Sequence, residues 1–449
     1  MSLADRVRAA KAAESTLDGE RDLMRQDLRR KLHYKVVEGL GPTLYDRQMS
    51  DAELKLRVME MLEWALDQEE SVPLSRTDRL QLLQEIADDV LGYGPIDPFL
   101  SDPDVTEVMV NGPHSVWVER QGKLTRTNTR FVDANHLGRI IEKIVGQVGR
   151  RIDESTPMVD ARLPDGSRVN AVIHPLAIGG PFLTIRKFSV DPFTAEDLVR
   201  MGSVTPNMAE VLRRAVEGRM NIIVSGSTGS GKTTMLNVLS SFIPPNDRIV
   251  TIEDAAELRL NQYHVLSMEY RPPNLEGKGE VTIRDLVRNS LRMRPDRIVV
   301  GEARGGEALD MLQAMNTGHD GSLTTIHSNA PRDTLSRIET MVLMSGMDLP
   351  IKAIREQIAS AVDVIVHLNR MRDGNRRVTH ITEVVGMEGE IITTQDLFVF
   401  DYGMGIDEDG NYLGHCKPTG IRPSFSDELE NQGIPLPAEL FRPEPMVRR

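Results

Sequence analysis

Eight residues constrain this chain more than any others: Gly226-Ser227-Thr228-Gly229-Ser230-Gly231-Lys232-Thr233. They follow the apolar run Asn221-Ile222-Ile223-Val224 and lead into the helix-compatible stretch Thr234–Ser241. A strand that enters a glycine-rich loop and leaves as a helix is the P-loop arrangement. The glycines let backbone N–H groups close around phosphate oxygens at the positive end of the helix. Lys232 is placed to meet the β- and γ-phosphates of ATP, the Thr233 hydroxyl to bind Mg2+, and Thr234 to support the turn. The competing reading is a glycine-rich structural turn. The bare pattern arises by chance in about one per cent of chains this long, and the strand–loop–helix context lowers that further.

A P-loop also needs a carboxylate near the metal and a residue that orients water. Two apolar runs end in acid: Val250-Thr251-Ile252 enters Glu253-Asp254, and Ile298-Val299-Val300-Gly301 enters Glu302. Ligand residues belong at the carboxyl ends of strands in a parallel sheet, so Glu253 and Glu302 are the acidic candidates. From about residue 207, strand-like runs (Asn221–Ser225, Arg248–Ile252, Arg297–Val300, Ser322–Ile326) alternate with helices. That predicts an α/β fold, a parallel-dominated sheet covered by helices, over 207–415. After Asp363–Leu368 the pattern turns to short strands, and 416–449 reads as a Pro-rich, loosely attached tail.

Upstream the texture differs. Residues 1–80 read as a helical region: Glu20–Lys35 mixes both charge signs along a solvated helix, while Ala52–Glu69 and Arg76–Leu91 are amphipathic and pack on each other. Thr106–Val110 and Ser115–Glu119 alternate apolar and polar residues around Asn111-Gly112-Pro113, which predicts a hairpin. A helix fits His136–Val148, and strands flank the turn Pro164-Asp165-Gly166 and fill Val169–His174 and Phe182–Phe188. Residues 81–190 are therefore expected to form a smaller α+β domain, and 191–206, with Pro192, a linker.

A chain of 449 residues accommodates two or three such domains. Its net charge of −13, 4% aromatic content and lack of a basic run interleaved with aromatics argue against nucleic acid as a partner. The single cysteine, Cys416, excludes an intrachain disulfide and a four-cysteine metal site. With no apolar run of about 18 residues and no apolar core after Met1–Ala13, a soluble, cytoplasmic protein is expected.

Four stretches in fixed order carry a family resemblance. After the P-loop come Thr251-Ile252-Glu253-Asp254-Ala255-Ala256-Glu257-Leu258, then Pro295 through Arg304, then Thr317-Gly318-His319 through Thr325-Ile326-His327. These resemble the Walker A, Asp box, Walker B and His box of the type II/IV secretion ATPase superfamily, most closely its CpaF (TadA) branch of tight-adherence pili. Supporting stretches include Leu91-Gly92-Tyr93-Gly94-Pro95 and Asp160 through Val169.

The resemblance implies a RecA-like ATPase domain preceded by the smaller α+β domain. It also implies a homo-hexameric ring with inner-membrane platform proteins as partners, and ATP and Mg2+ as cofactors, the nucleotide lying between domains. By the same resemblance Glu253 polarises the attacking water, Glu302 holds Mg2+, and His319 and His327, expected at one sheet edge, sense the γ-phosphate. The cations a phosphoryl-transfer site borrows from elsewhere are sought at Arg162, Arg168 and Arg186 of the smaller domain. Arg186 resembles the family's interface arginine. The implied task is to power pilus assembly or retraction, or secretion, from the cytoplasmic side. A RecA-like nucleic-acid translocase and a nucleotide-regulated scaffold with little turnover are the rival readings.

Overall fold

The computed structural model describes residues 27–443 apart from 30, 37, 41–50, 70–74, 121, 164, 188–192 and 274–276. Chain contacts group into two units, Met1–Phe188 and Ser189–Arg449.

In the first unit, alternation of apolar residues builds a six-stranded antiparallel sheet. Its strands are β1 (Val105–Asn111), β2 (Val116–Arg120), β3 (Lys123–Arg126), β4 (Met158–Arg162), β5 (Arg168–Val172) and β6 (Phe182–Arg186). They lie in the order β3-β2-β1-β6-β5-β4. Because side chains alternate between faces, Val108, Val110, Leu183 and Ile185 share one face, covered by Leu137, Ile141 and Ile144 of the helix Ala134–Gln147. Asp133 caps that helix by accepting from the His136 N–H at 2.7 Å. The expected hairpin is β1–β2, closed where Gly112 takes φ 83°. Pro164 of the second expected turn lies outside the described residues.

The helices Asp51–Asp67 and Arg76–Leu91 bury Leu62, Ala65 and Leu66 against Leu82, Leu83 and Ile86. They share this cluster with Leu28, Leu32 and Val36, at most 3% exposed. The stretch expected to be a solvated helix is thus anchored over its described part, because its apolar residues form one stripe; residues 20–26 lie outside the description. Lys143 Nζ donates to the Gly92 carbonyl at 2.9 Å, and the buried rings of His33 and His136 stand 4.4 Å apart, tying helices and sheet into one unit.

Among its described residues the second unit holds nine strands: β7 (Ile222–Gly226), β8 (Ile249–Glu253), β9 (Val265–Glu269), β10 (Arg297–Val300), β11 (Leu323–His327), β12 (Val364–Arg370), β13 (Arg376–Glu388), β14 (Ile391–Phe400) and β15 (Cys416–Pro418). Their order is β15-β14-β13-β12-β7-β11-β10-β8-β9. Neighbours from β12 through β9 pair in parallel, and β12 through β15 antiparallel. The parallel-dominated α/β sheet expected from the sequence is what forms. Period-two alternation splits it between two cores. Ile222, Val224 and Val299 face the helices Pro206–Glu217 and Lys232–Ser241, while Ile223, Ile298 and Val300 face Glu307–Asn316, Pro331–Met344 and Ile351–Ala361.

Three expectations change. Beyond β12 two of the strands are long rather than short, β13 running 13 residues and β14 10, while β15 has only 3. The tail is no loose appendage over its described part: Cys416 extends the sheet in β15, and Phe425, Leu429, Leu436 and Phe441 are buried in a core. Their apolar side chains, spaced among prolines, cover a sheet face that would otherwise meet water. Of the linker, Ala195–Arg200 is a helix with a capping box at Thr194 and with Leu198 in the same core; Pro192 lies outside the described residues. Among the described residues no helix is long and apolar enough to cross a membrane.

Candidate active site

β7 is buried along its whole length and delivers the chain to Gly226 at the carboxyl edge of the sheet. Only glycine fits there: φ is 154°, and a Cβ would fall 2.4 Å from the Leu368 carbonyl oxygen and 2.6 Å from Ser230 Oγ. Ser227 and Thr228 carry the loop outward to Gly229 (φ 72°) and Gly231 (φ 95°), both in the left-handed region. Gly231 is also the N-cap of the helix Lys232–Ser241, which begins with Lys232, Thr233 and Thr234. The unpaired N–H groups of that first turn give the loop a positive end.

Lys232 folds back over the loop, its Nζ donating to the Ser227 carbonyl at 3.1 Å. Burial pulls its ammonium below the ordinary lysine value, an effect the Glu302 carboxylate opposes. Ser230 is 1% exposed, and its Oγ has no hydrogen-bond partner among the described residues. A glycine cradle, inward N–H groups, a half-buried ammonium and an orphaned hydroxyl form a donor set that fits a polyphosphate.

The two acids arrive at the same edge because β8 and β10 run parallel in register, Ile252 opposite Val300. Glu253 is 3% exposed, and its Oε2 accepts from the Glu257 and Leu258 N–H groups at 2.7 and 2.9 Å, which fixes the carboxylate's orientation. Gly301 passes directly against it, so that a Cβ there would sit 2.9 Å from Glu253 Cγ. Glu302 accepts from Arg304 Nη2 at 2.7 Å, and Arg304 Nη1 donates to Asp254 at 3.0 Å.

The two histidines part company. His327 closes β11 opposite Gly226, at the phosphate loop. His319 precedes β11, in the loop where Gly321 and Ser322 donate to Asn221 Oδ1 at the start of β7, both at 3.0 Å. The expectation that both face one sheet edge is therefore corrected. Strand β11 lies between them, and five residues at roughly 3.3 Å each span on the order of 15 Å.

Arg162, Arg168 and Arg186 belong to the first unit and form a single row. Arg162 pairs with Arg168, Arg168 with Arg186, and Arg186 with Glu107, which in turn pairs with Glu119. Directly paired residues share a face, here the one opposite the core. Burial raises the Glu107 carboxyl, with Arg186 working against that and Glu119 adding to it.

Two further side chains belong to the site beside the sequence candidates. Arg304 bridges Glu302 and Asp254 two residues beyond Glu302, a basic residue visible at the end of the Walker B stretch. Arg376 donates from Nε to the Gly229 carbonyl at 2.8 Å; its only sequence signal is the basic turn Arg370-Met371-Arg372-Asp373-Gly374-Asn375-Arg376-Arg377.

Fold and cradle together define a P-loop ATPase with a RecA-like core. Residues 89–395 match the family described as type II/IV secretion system protein. A Mycobacterium tuberculosis protein whose name refers to conjugal transfer is 37% identical over 346 residues, 76% of this chain and 97% of its own length. The type IV secretion system protein VirB11 of Brucella suis is 37% identical over 318 residues, 65% of this chain and 88% of that protein. The crystal structure of the Brucella suis VirB11 ATPase in complex with sulphate covers 64% of this chain and 91% of its own, at 35% identity and a TM-score of 0.35. The chain belongs to the type II/IV secretion system protein family.

Proposed function

We propose that this chain is the ATP-hydrolysing motor of a pilus-assembly or secretion machine, of the CpaF type, working as a homo-hexamer against inner-membrane platform proteins from the cytoplasmic face. The observation that carries the reading is one sheet edge holding the phosphate loop, Glu253, Glu302 and His327 together. There Gly226 through Gly231 wrap the phosphates, Lys232 meets the β- and γ-oxygens, and Thr234 supports the turn. Thr233 and Glu302 are the residues that would hold Mg2+, which when bound supplies charge compensation to the phosphates. Arg304, now on Glu302, then retains Asp254 as its partner. Glu253, held by two backbone N–H groups, orients and polarises the attacking water. His327 lies where it can report the presence of the terminal phosphate. The row Arg162, Arg168 and Arg186 supplies further cations to the phosphates.

Steady-state phosphate release and binding of a fluorescent nucleotide test this directly. Lys232→Ala abolishes productive binding, because the charge at the β/γ-oxygens loses its nearest cation. Glu253→Gln keeps binding and stops hydrolysis, the amide preserving shape but not charge. Turnover near wild type in Lys232→Ala would remove the P-loop assignment; an active Glu253→Gln beside an inactive, tightly binding Glu302→Gln would exchange the two acids' roles.

A further inference from the structure

The strand ends that flank the turn between β12 and β13 bring two arginines, Arg370 and Arg376, to the phosphate loop. Arg376 Nε donates to the Gly229 carbonyl at 2.8 Å, and Arg376 Cδ lies 3.4 Å from where a Cβ on Gly231 would sit. A Cβ on Gly229 would lie 3.7 Å from Arg370 Nη1. The Gly229 carbonyl and the Ser230 N–H belong to one planar trans peptide, so they point in opposite directions. A guanidinium that holds the carbonyl therefore fixes the Ser230 N–H on the opposite side of the peptide, where it donates to the Ser227 carbonyl at 3.3 Å, the same oxygen that Lys232 Nζ reaches and a long bond that a phosphate oxygen can replace.

Arg376 is itself held in place. Its carbonyl accepts from Ser203 Oγ at 2.6 Å, and the Val378 N–H donates to the Ser203 carbonyl at 2.9 Å. Ser203 follows closely on the helix Ala195–Arg200, which opens the second unit behind its Thr194 cap. A continuous set of hydrogen bonds thus runs from the chain entering this unit, through Ser203 and Arg376, to the peptide at the heart of the phosphate loop.

We propose that Arg376 is a positioning residue for the nucleotide, which presets the Gly229–Ser230 peptide for phosphate, and that Ser203 sets the placement of Arg376. The proposal rests on reading Gly226–Thr233 as the nucleotide site. KM and kcat for MgATP are measured for the wild type, Arg376→Ala, Arg376→Lys and Ser203→Ala, with Lys232→Ala as control and melting temperatures taken without nucleotide. A charge-assisted hydrogen bond lost from the resting loop should raise KM about tenfold in Arg376→Ala while kcat stays within about twofold. Arg376→Lys, keeping a cationic donor, should recover most of that loss. Ser203→Ala should raise KM in the same direction by a smaller factor, with all three proteins melting near the wild type. An unchanged KM in Arg376→Ala overturns the proposal, as does a KM rise that Arg376→Lys leaves uncorrected and that follows a drop in melting temperature. Should Arg376→Ala not fold, an unchanged KM in Ser203→Ala together with an Arg376→Lys protein indistinguishable from one lacking nucleotide affinity overturns it equally. A wild type that binds no nucleotide, or a Lys232→Ala that binds as well as wild type, sinks the underlying site instead.

Discussion

A residue with no side chain packs against the acid proposed to orient the attacking water. Gly301 is pinned by its N–H to the Ile252 carbonyl at 2.8 Å, and its Cα face lies against Glu253. An added methyl group would press on Glu253 Cγ, while the backbone hydrogen bond to Ile252 holds Gly301 in place. Gly301→Ala is expected to fold and to bind nucleotide while kcat falls at least about tenfold, the scale on which misplacement of a reacting group by a fraction of an ångström is felt. Phosphate release beside nucleotide binding checks this, and an unchanged kcat would mean that Glu253 tolerates displacement. Residues of this kind divide by whether their contacts are local. Gly226 through Thr233 were legible because the cradle is one unbroken stretch. The Arg376–Gly229 contact spans 147 residues and leaves no trace in spacing. The misplacement of His319 has a similar origin: its motif spans both ends of one strand, and a motif read as a unit hides the strand inside it.

At the scale of elements, the amino ends of three strands are fastened by two side chains. Asn221 Oδ1 accepts from Gly321 and Ser322 ahead of β11, while Asp363 Oδ2, ahead of β12, accepts from the Asn221 N–H at 2.7 Å. Burial pushes the Asp363 carboxyl up to about 6 from 3.8, the Asn221 hydrogen bond opposing that rise. A carboxyl raised in the folded state favours folding in its protonated form. That contribution is full below 3.8 and is lost as pH rises through about 6. Asp363→Asn keeps an acceptor for Asn221 without the charge, so it should melt a few degrees above the wild type at pH 8, the gap narrowing as pH falls through about 6 and closing only near 3.8. A gap that persists or grows on acidification would exclude Asp363 as its source. The apolar runs of β7, β8, β10 and β11 were readable because both their faces are buried. Strand β9, partly exposed along its length, and the half-exposed ends of β13 and β14 lack that signature. Residues 425–441 do not read as core in the sequence because their prolines mask four buried apolar side chains.

For the whole molecule, the row of Arg162, Arg168 and Arg186 changes how its contribution should be tested. Arg186 stands opposite Glu107, so a glutamate in its place would set like charges side by side and weaken the sheet itself. Arg186→Gln avoids this. If it meets the transferring phosphate, turnover should fall by about 10³-fold with nucleotide affinity nearly intact. In a ring whose arginines act on a neighbouring copy, mixing Arg186→Gln with Lys232→Ala should restore part of the lost turnover, because some interfaces then carry both native groups. Light scattering with a nucleotide analogue should show hexamers in the mixture; hexamers without any regained activity would confine the arginine to its own copy.

The order of strands in the larger sheet also governs how the protein is born. Ser225, the last residue but one of β7, pairs with His367, 142 residues further along the chain. At about 5–20 residues per second of synthesis, the strand that precedes the phosphate loop waits on the order of ten seconds for that neighbour. During that interval Ile222, Ile223 and Val224, each 0% exposed in the finished protein, lack β12 beside them, and for most of it β11 as well. A growing chain on the ribosome therefore carries the whole phosphate-loop sequence well before it owns a nucleotide site, and for that time this apolar strand is a surface for chaperones.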